Sequence, residues 1–303
     1  LSATWIKLKL LLVILLFSMQ AKSENNNYAQ FFDKTANIFF TKSSDSISKL
    51  LGTFGGKGET EVNLTAGKKM KPMGSISITR AIKETENSMF FNQTQINNYF
   101  VRGKDRLALN LGFGYRKLSD DNSSFWGANI FYDRDAKSNT RASLGLEYET
   151  SPFSLTANKY MKISGSNKVG TFTERVLGGY DINASGQIPF LPWANINLTN
   201  YKWNKINNSK DSKGNKLSGE FYITKNLTFE AGVDDNDLDG RNNFASISFI
   251  WPGNKKPTFS DKIISNQIFE DSDVSQQMLT KIKRNNRIVL ESEGAGVVIA
   301  RLD

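Results

Sequence analysis

The chain has 303 residues, with 39 Lys+Arg against 30 Asp+Glu for a formal net charge of +9, and it contains neither cysteine nor histidine. Those absences exclude disulfides, thiolate chemistry, Cys-type zinc or Fe–S sites, and every catalytic arrangement that needs an imidazole. The charges are mixed in sign along the chain, which is no footprint for nucleic acid. No enzyme, catalytic residue, cofactor site or metal site is expected.

In chain order, residues 1–23 come first. Lys7 and Lys9 precede an apolar run over 10–17, and small residues including Ala21 and Ser23 follow it. This is the layout of a secretory signal peptide cut after Ala21 or Ser23, since the apolar run is far shorter than the roughly 20 residues a spanning helix needs. Residues 24–58 are expected to be a periplasmic N-terminal segment. Tyr28-Ala29-Gln30-Phe31-Phe32 and Ser46-Ile47-Ser48-Lys49-Leu50-Leu51 read within it as short helical pieces.

From about residue 60 to 251 the side chains alternate. Leu107, Leu109, Leu111, Phe113 and Tyr115 interleave with Ala108, Asn110, Gly112, Gly114 and Arg116. Val176, Tyr180, Ile182 and Ala184 oppose Arg175, Gly179, Asp181 and Asn183, and Leu227, Phe229, Ala231 and Val233 oppose Thr228, Glu230, Gly232 and Asp234. A period of two puts one set on each face of a sheet, one dry and one wet. Twelve strands are predicted, at 60–67, 74–82, 88–99, 105–117, 124–133, 140–150, 153–163, 174–186, 193–203, 216–224, 226–234 and 243–251. Stretches of roughly 9–12 residues suit a tilted crossing of hydrocarbon, whereas soluble strands average about 5–6. The aromatics Tyr115, Phe131, Tyr132, Tyr148, Tyr160, Trp193, Tyr201, Trp203 and Trp251 are expected in interfacial girdles. Long polar links at 164–173, 204–215 and 235–242 alternate with tight ones at Ser151-Pro152 and Lys225, as outer loops alternate with periplasmic turns. The expected fold class is all-β: a twelve-stranded antiparallel transmembrane β-barrel over 59–252, in the outer membrane of a Gram-negative bacterium. An arginine at Leu111 should then be costly and one at Asn110, facing the lumen, much less so.

Residues 253–303 are expected to form a C-terminal helix and a linker in or below the lumen. Acids open 271–283 and lysines close it, complementing a helix dipole, while Val274, Met278 and Ile282 share one stripe. After Asn285-Asn286 the chain reads as extended. Crossing about 30 Å of hydrocarbon takes roughly 9–10 extended residues, so 285–303 can pass the barrel once. A helix and tail resting in the periplasm is the alternative. Two acidic clusters invite chemistry. Asp133-Arg134-Asp135 is read as a charged turn or outer loop. Asp234-Asp235-Asn236-Asp237 with Asp239-Gly240 has an acidic spacing like that of a calcium loop but lacks the twelfth-position Glu and flanking helices of an EF-hand, so an exposed loop is expected.

Leu111-Gly112-Phe113-Gly114-Tyr115-Arg116, followed by Gly127-Ala128-Asn129-Ile130-Phe131-Tyr132-Asp133, resembles paired strands of the inverse autotransporter β-domain (the intimin/invasin family). So, in order, do Leu144-Gly145-Leu146-Glu147-Tyr148, Leu155-Thr156-Ala157-Asn158-Lys159-Tyr160 and Gly179-Tyr180-Asp181-Ile182. Upstream, Leu51-Gly52-Thr53-Phe54-Gly55 and Phe91-Asn92-Gln93 are similar to family segments, and downstream so is Arg284-Asn285-Asn286-Arg287-Ile288-Val289-Leu290-Glu291. The resemblance implies a barrel whose C-terminal linker threads the lumen and presents a passenger, usually an adhesin, at the cell surface (type V secretion). With Asp303 following soon after that motif, the expectation is a member whose passenger is missing or vestigial. The function expected is anchoring and export of a C-terminal segment. The alternatives are a surface-binding protein acting through the loops at 164–173 and 204–215, or a small porin-like channel. The partners expected are outer-membrane lipid and lipopolysaccharide, the barrel assembly machinery and periplasmic chaperones, and a ligand on a host or neighbouring cell; a homodimer stays open.

Overall fold

The computed structural model describes residues 57–68, 70–207, 211–294 and 297–301. The expected signal peptide, the short helical pieces of the N-terminal segment and Leu51-Gly52-Thr53-Phe54-Gly55 lie outside those residues. The chain forms β1 (Gly58–Gly67), β2 (Met70–Glu84), β3 (Ser88–Val101), β4 (Lys104–Leu118), β5 (Ser124–Asp135), β6 (Thr140–Thr150) and β7 (Phe153–Lys162). A hairpin follows, β8 (Ser166–Val169) and β9 (Phe172–Val176), and then β10 (Gly178–Ile188), β11 (Leu191–Asn204), β12 (Ser212–Thr224), β13 (Leu227–Asn236) and β14 (Gly240–Trp251). After a linker come β15 (Leu290–Gly294) and β16 (Val297–Arg301). β1 to β7 and β10 to β14 make a closed barrel of twelve strands, while β8, β9, β15 and β16 make a separate four-stranded sheet. The barrel closes where β1 pairs antiparallel with β14, from Thr60↔Trp251 to Gly67↔Phe244.

Alternation explains why this sequence closes rather than packing against another layer. On β4 Leu107, Leu109, Leu111, Phe113 and Tyr115 are exposed, and Ala108, Asn110, Gly112, Gly114 and Arg116, which alternate with them, are buried. The dry set faces outward all round the cylinder: Ile130, Leu144, Leu146, Leu155, Ile196, Leu198 and Leu217 are each about half exposed or more. Such a surface is stable only in contact with hydrocarbon, and closure leaves no strand edge unpaired there. The predicted all-β, twelve-stranded antiparallel barrel is the fold observed.

The lumen is crowded, and small residues permit the crowding. A Cβ added to Gly112 would stand 2.2 Å from the Phe131 ring, and one added to Gly114 would stand 2.4 Å from Phe91. Gly112→Leu is therefore expected to destabilise the barrel by about 1–3 kcal/mol through overpacking, seen as a lowered urea midpoint.

The structure corrects several expectations. Phe131, Tyr160, Tyr201 and Trp203 are not girdle residues; all four are buried on the lumenal side. They occupy the wet parity of their strands, and parity outranks position along a strand. Tyr115, Tyr132, Tyr148 and Trp251 do face outward. Val176, assigned to the dry face, is fully buried in the hairpin, where it pairs with Leu290. The expected long link at 235–242 shrinks to 237–239, because β13 and β14 run further than their alternation suggested. Asn236 closes that turn by accepting the Leu238 and Asp239 N–H groups at 3.0 and 2.8 Å.

The expected C-terminal helix is absent; the only helical turn in the linker is a 3-10 turn at Ser275–Gln277. Lumenal side chains take the backbone groups a helix would use internally. Arg116 donates to the Met278 and Thr280 carbonyls at 2.8 and 3.0 Å, and Gln93 accepts the Ile282 N–H at 2.9 Å. The apolar stripe is real but serves docking: Val274, Met278 and Ile282 pack with Met89, Phe91, Leu118, Phe125 and Phe131.

Candidate functional site

With an even number of strands, the start of β1 and the end of β14 lie at one mouth. The turns at this near mouth are two to five residues long. The far mouth carries the β8–β9 hairpin and the link between Asn204 and Ser212.

Beyond Trp251 the chain first follows the near rim. Phe259 N–H donates to the Tyr222 carbonyl at 2.8 Å, Ser265 N–H to Phe190 at 2.8 Å, and Phe190 N–H to Ile268 at 2.9 Å. Val274 N–H then reaches the Asn122 carbonyl at 3.0 Å, in the turn joining β4 to β5. That turn is organised by Asp121, whose carboxyl accepts from Ser119 and Ser123; the Ser119 hydroxyl contributes most to holding it down at about 2.

From Met278 to Val289 the linker runs through the lumen, held in turn by side chains from strands all round the barrel. Lys281 pairs with Glu61 of β1 at 2.6 Å. Lys283 donates to Asn197 of β11 at 3.1 Å, and its carbonyl accepts from Asn158 of β7 at 3.0 Å. The Arg284 guanidinium meets the Asp133 carboxylate with both terminal nitrogens, at 3.1 and 2.7 Å. Asn285 N–H reaches Tyr160 Oη at 2.8 Å, and its carbonyl accepts from Arg141 at 2.8 Å. The Asn286 side chain donates to Gln95 at 3.0 Å, and its carbonyl accepts from Asn110 at 3.0 Å.

Asp133 is the centre of this arrangement. It is fully buried and takes Arg141 as well as Arg284, while Asn110 donates to it at 2.7 Å. The guanidinia are further held over aromatic faces: Arg284 lies 4.1 Å from the Phe131 centroid and Arg141 lies 4.3 Å from that of Tyr160. The lumen-facing aromatics are thus cation seats as well as packing. Tyr160 donates in turn to Asp181 at 2.5 Å.

At the far mouth the linker is clamped again. β15 pairs antiparallel with β9 from Leu290↔Val176 to Glu293↔Thr173. Glu174 on β9 is fully buried and accepts from Arg106 at 2.6 and 2.9 Å and from Asn139 at 2.8 Å. Glu291 on β15 accepts the Ile206 and Asn207 N–H groups at 3.1 and 3.0 Å. Beside the linker two polar cavities of about 310 and 280 Å³ remain, on the wall that includes β1 and β11 to β14.

The first acidic cluster is not the loop expected, and the second is so only in part: Asp235 and Asp237 are exposed and 237–239 form the turn, but 234–236 belong to β13. Asp133 and Asp135 are buried on the lumenal face of β5, Asp135 accepting from Tyr99 at 2.9 Å and Arg106 at 3.1 Å. Their parity matched Phe131 and Asn129, and that was the available signal. In the second cluster Asp234 accepts from Tyr201 at 2.6 Å and Asp237 from Ser212 at 3.0 Å. Among the described residues no group of three His, Cys, Asp or Glu is placed to hold a metal ion.

Comparison with known proteins agrees with this geometry. The profile of the family described as "Inverse autotransporter, beta-domain" matches residues 15–286. The attaching and effacing protein homolog of Escherichia coli strain K12 is 32% identical over 161 residues, 52% of this chain and 52% of that protein. The inverse autotransporter adhesin YeeJ of the same strain is 23% identical over 222 residues, 69% of this chain and 9% of that protein. The chain therefore spans about half of one relative and under a tenth of the other. A solved structure from work on in-meso crystallization of membrane proteins superposes with a TM-score of 0.64 at 22% identity, covering 78% of this chain and 99% of the other, and shows the same fold. A closed twelve-stranded cylinder with an apolar exterior, matched over most of its length by that profile, is an outer-membrane β-barrel, and the chain belongs to the inverse autotransporter β-domain family.

Proposed function

We propose that this barrel anchors and exports a C-terminal segment, with the near mouth in the periplasm and the linker delivering the chain beyond Glu291 to the cell surface. The observation that carries the reading is the linker's course, from the near rim at Phe259, past Asp133, to β15 beside the hairpin of the far mouth. The short turns of the near mouth support its periplasmic placement. An adhesive character for the exported segment is suggested by the name of the YeeJ relative. This reading calls for outer-membrane lipid and lipopolysaccharide around the barrel, for the barrel assembly machinery and periplasmic chaperones during biogenesis, and for a ligand on another cell.

An epitope tag fused after Asp303 should be removed by protease added to intact cells. A tag that resists until the outer membrane is broken would overturn the proposal. The two cavities beside the linker favour a second, minor activity as a narrow channel. In planar bilayers the full chain should conduct weakly, and deletion of 271–303 should raise the conductance several-fold. Equal conductance with and without those residues would mean that the linker is not the plug.

A further inference from the structure

The rim segment 258–270 has a property that threading does not use. It carries Phe259, Ile263, Ile264 and Ile268, which are 43%, 56%, 67% and 56% exposed, and it lies beside Phe190 at the tip of the β10–β11 turn, which is 45% exposed. Of its polar residues Thr258 and Ser265 are buried, Lys262 pairs with Glu270 at 3.2 Å and Asp261 accepts from the Thr258 hydroxyl at 2.8 Å, while Ser260, Asn266 and Gln267 are exposed beside the apolar side chains. Four large apolar side chains open within thirteen residues, with Phe190 next to them, make a contiguous apolar patch of the kind that marks a contact surface.

The segment is seated on the near rim against aromatic side chains. The Trp193 indole donates to the Ile263 carbonyl at 2.7 Å, and its ring meets Phe259 edge-on at 5.0 Å. Trp193 lies 6.0 Å from Phe221, which stacks at 6.3 Å on Phe229. Further along, Phe269 meets Phe153 at 5.2 Å, and Phe153 is itself an exposed member of the dry face. The open side chains of 258–270 therefore continue the lipid-facing belt at the near rim. Lys225, in the β12–β13 turn, and Lys255 are both exposed on the same rim, where the Asn254 N–H donates to the Lys225 carbonyl.

We propose that residues 258–270 form an interfacial collar whose Phe259, Ile263, Ile264 and Ile268 side chains, with Phe190, sit in the acyl–headgroup boundary of the membrane leaflet at the near mouth. Backbone groups of Phe259, Ile263, Ser265 and Ile268 are already bonded to the rim, which lessens the cost of taking the segment out of water, and lysines on the rim suit lipid phosphates. The collar would hold the linker's starting point at membrane level, independently of which way the barrel is oriented.

The absence of cysteine makes the test direct. Ile264→Cys, Ile268→Cys and, as a control in a polar near-mouth turn, Asp120→Cys are made singly in the full chain. Each is labelled with an environment-sensitive fluorophore and reconstituted in phosphatidylethanolamine–phosphatidylglycerol vesicles, with folding confirmed by heat-modifiable gel migration. Lipids brominated close to the headgroup should quench the labels at 264 and 268 several-fold more than the label at 120, and aqueous iodide should show the opposite order. Iodide quenching at 264 and 268 as strong as at 120 would overturn the proposal. So would protection from iodide without quenching by brominated lipid, growing with the protein-to-lipid ratio, since a second copy would then be the cover. Two labelled positions guard against one variant failing to fold.

Discussion

Replacing Asp133 by alanine is expected to destabilise the barrel by about 3–5 kcal/mol, the usual consequence of stranding a buried charge. Here the loss strands two: Arg141 and Arg284 share this one carboxylate, and all three side chains are fully buried. The aromatic faces of Phe131 and Tyr160 cannot replace it, because a cation–π contact contributes only about 0.5–2 kcal/mol and does not neutralise the charge. The complementary change should be milder. Arg284→Met leaves Asp133 paired with Arg141 and bonded to Asn110, and methionine fills much of the vacated volume. Combining Arg284→Met with Asp133→Ala should recover part of the single loss, since one stranded cation remains instead of two. Urea titration of barrels refolded in detergent or vesicles would measure all three variants. An Asp133→Ala midpoint equal to that of the parent would remove this carboxylate from the account of how the linker is held.

The second large effect lies on the other side of the same wall. Leu111→Arg puts a guanidinium on the lipid face of β4, where Leu111 is 40% exposed, and should cost roughly 2–4 kcal/mol if it lies near the bilayer midplane. Sequence parity alone would make Asn110→Arg mild, as a substitution into hydrated lumen. The structure reverses that expectation. Asn110 is fully buried between Asp133 and the Asn286 carbonyl, so an arginine there adds a third guanidinium to a closed site. The two losses differ in origin and can be separated. Deleting 271–303 should relieve most of the Asn110→Arg penalty by emptying the site, and should leave the Leu111→Arg penalty unchanged. If deletion rescued both equally, the assignment of faces on β4 would be wrong.

How much of this was legible beforehand depended on whether a feature is local. Alternation is a property of neighbouring residues, and Leu107 to Tyr115 announces β4 without reference to the rest of the chain. Closure follows from twelve such strands with apolar exteriors. The linker's conformation is not local. Val274, Met278 and Ile282 have helical spacing, yet the same spacing serves an irregular segment docked on Phe91 and Phe125. Nothing near residue 280 reveals that Arg116 will take two of its carbonyls from across the lumen. The burial of Asp133 is hidden for a related reason. It stands near the end of an alternating run, where a charged turn is the natural expectation, although its parity places it inside and β5 continues to Asp135. The hairpin of β8 and β9 was hidden by polar composition, since its main partner, β15, lies more than a hundred residues away.

The linker's hold on the wall is also a key cut for one axial position. An extended chain that slid by two residues would keep its facing but bring Ile282, not Arg284, against Asp133, and would set Arg284 where Asn286 now meets Gln95. Every such step mismatches charge, amide and hydrocarbon together, and they match again only on return. A tail pulled at the far mouth would thus be resisted by spelling as well as by bonding, with no covalent stop required.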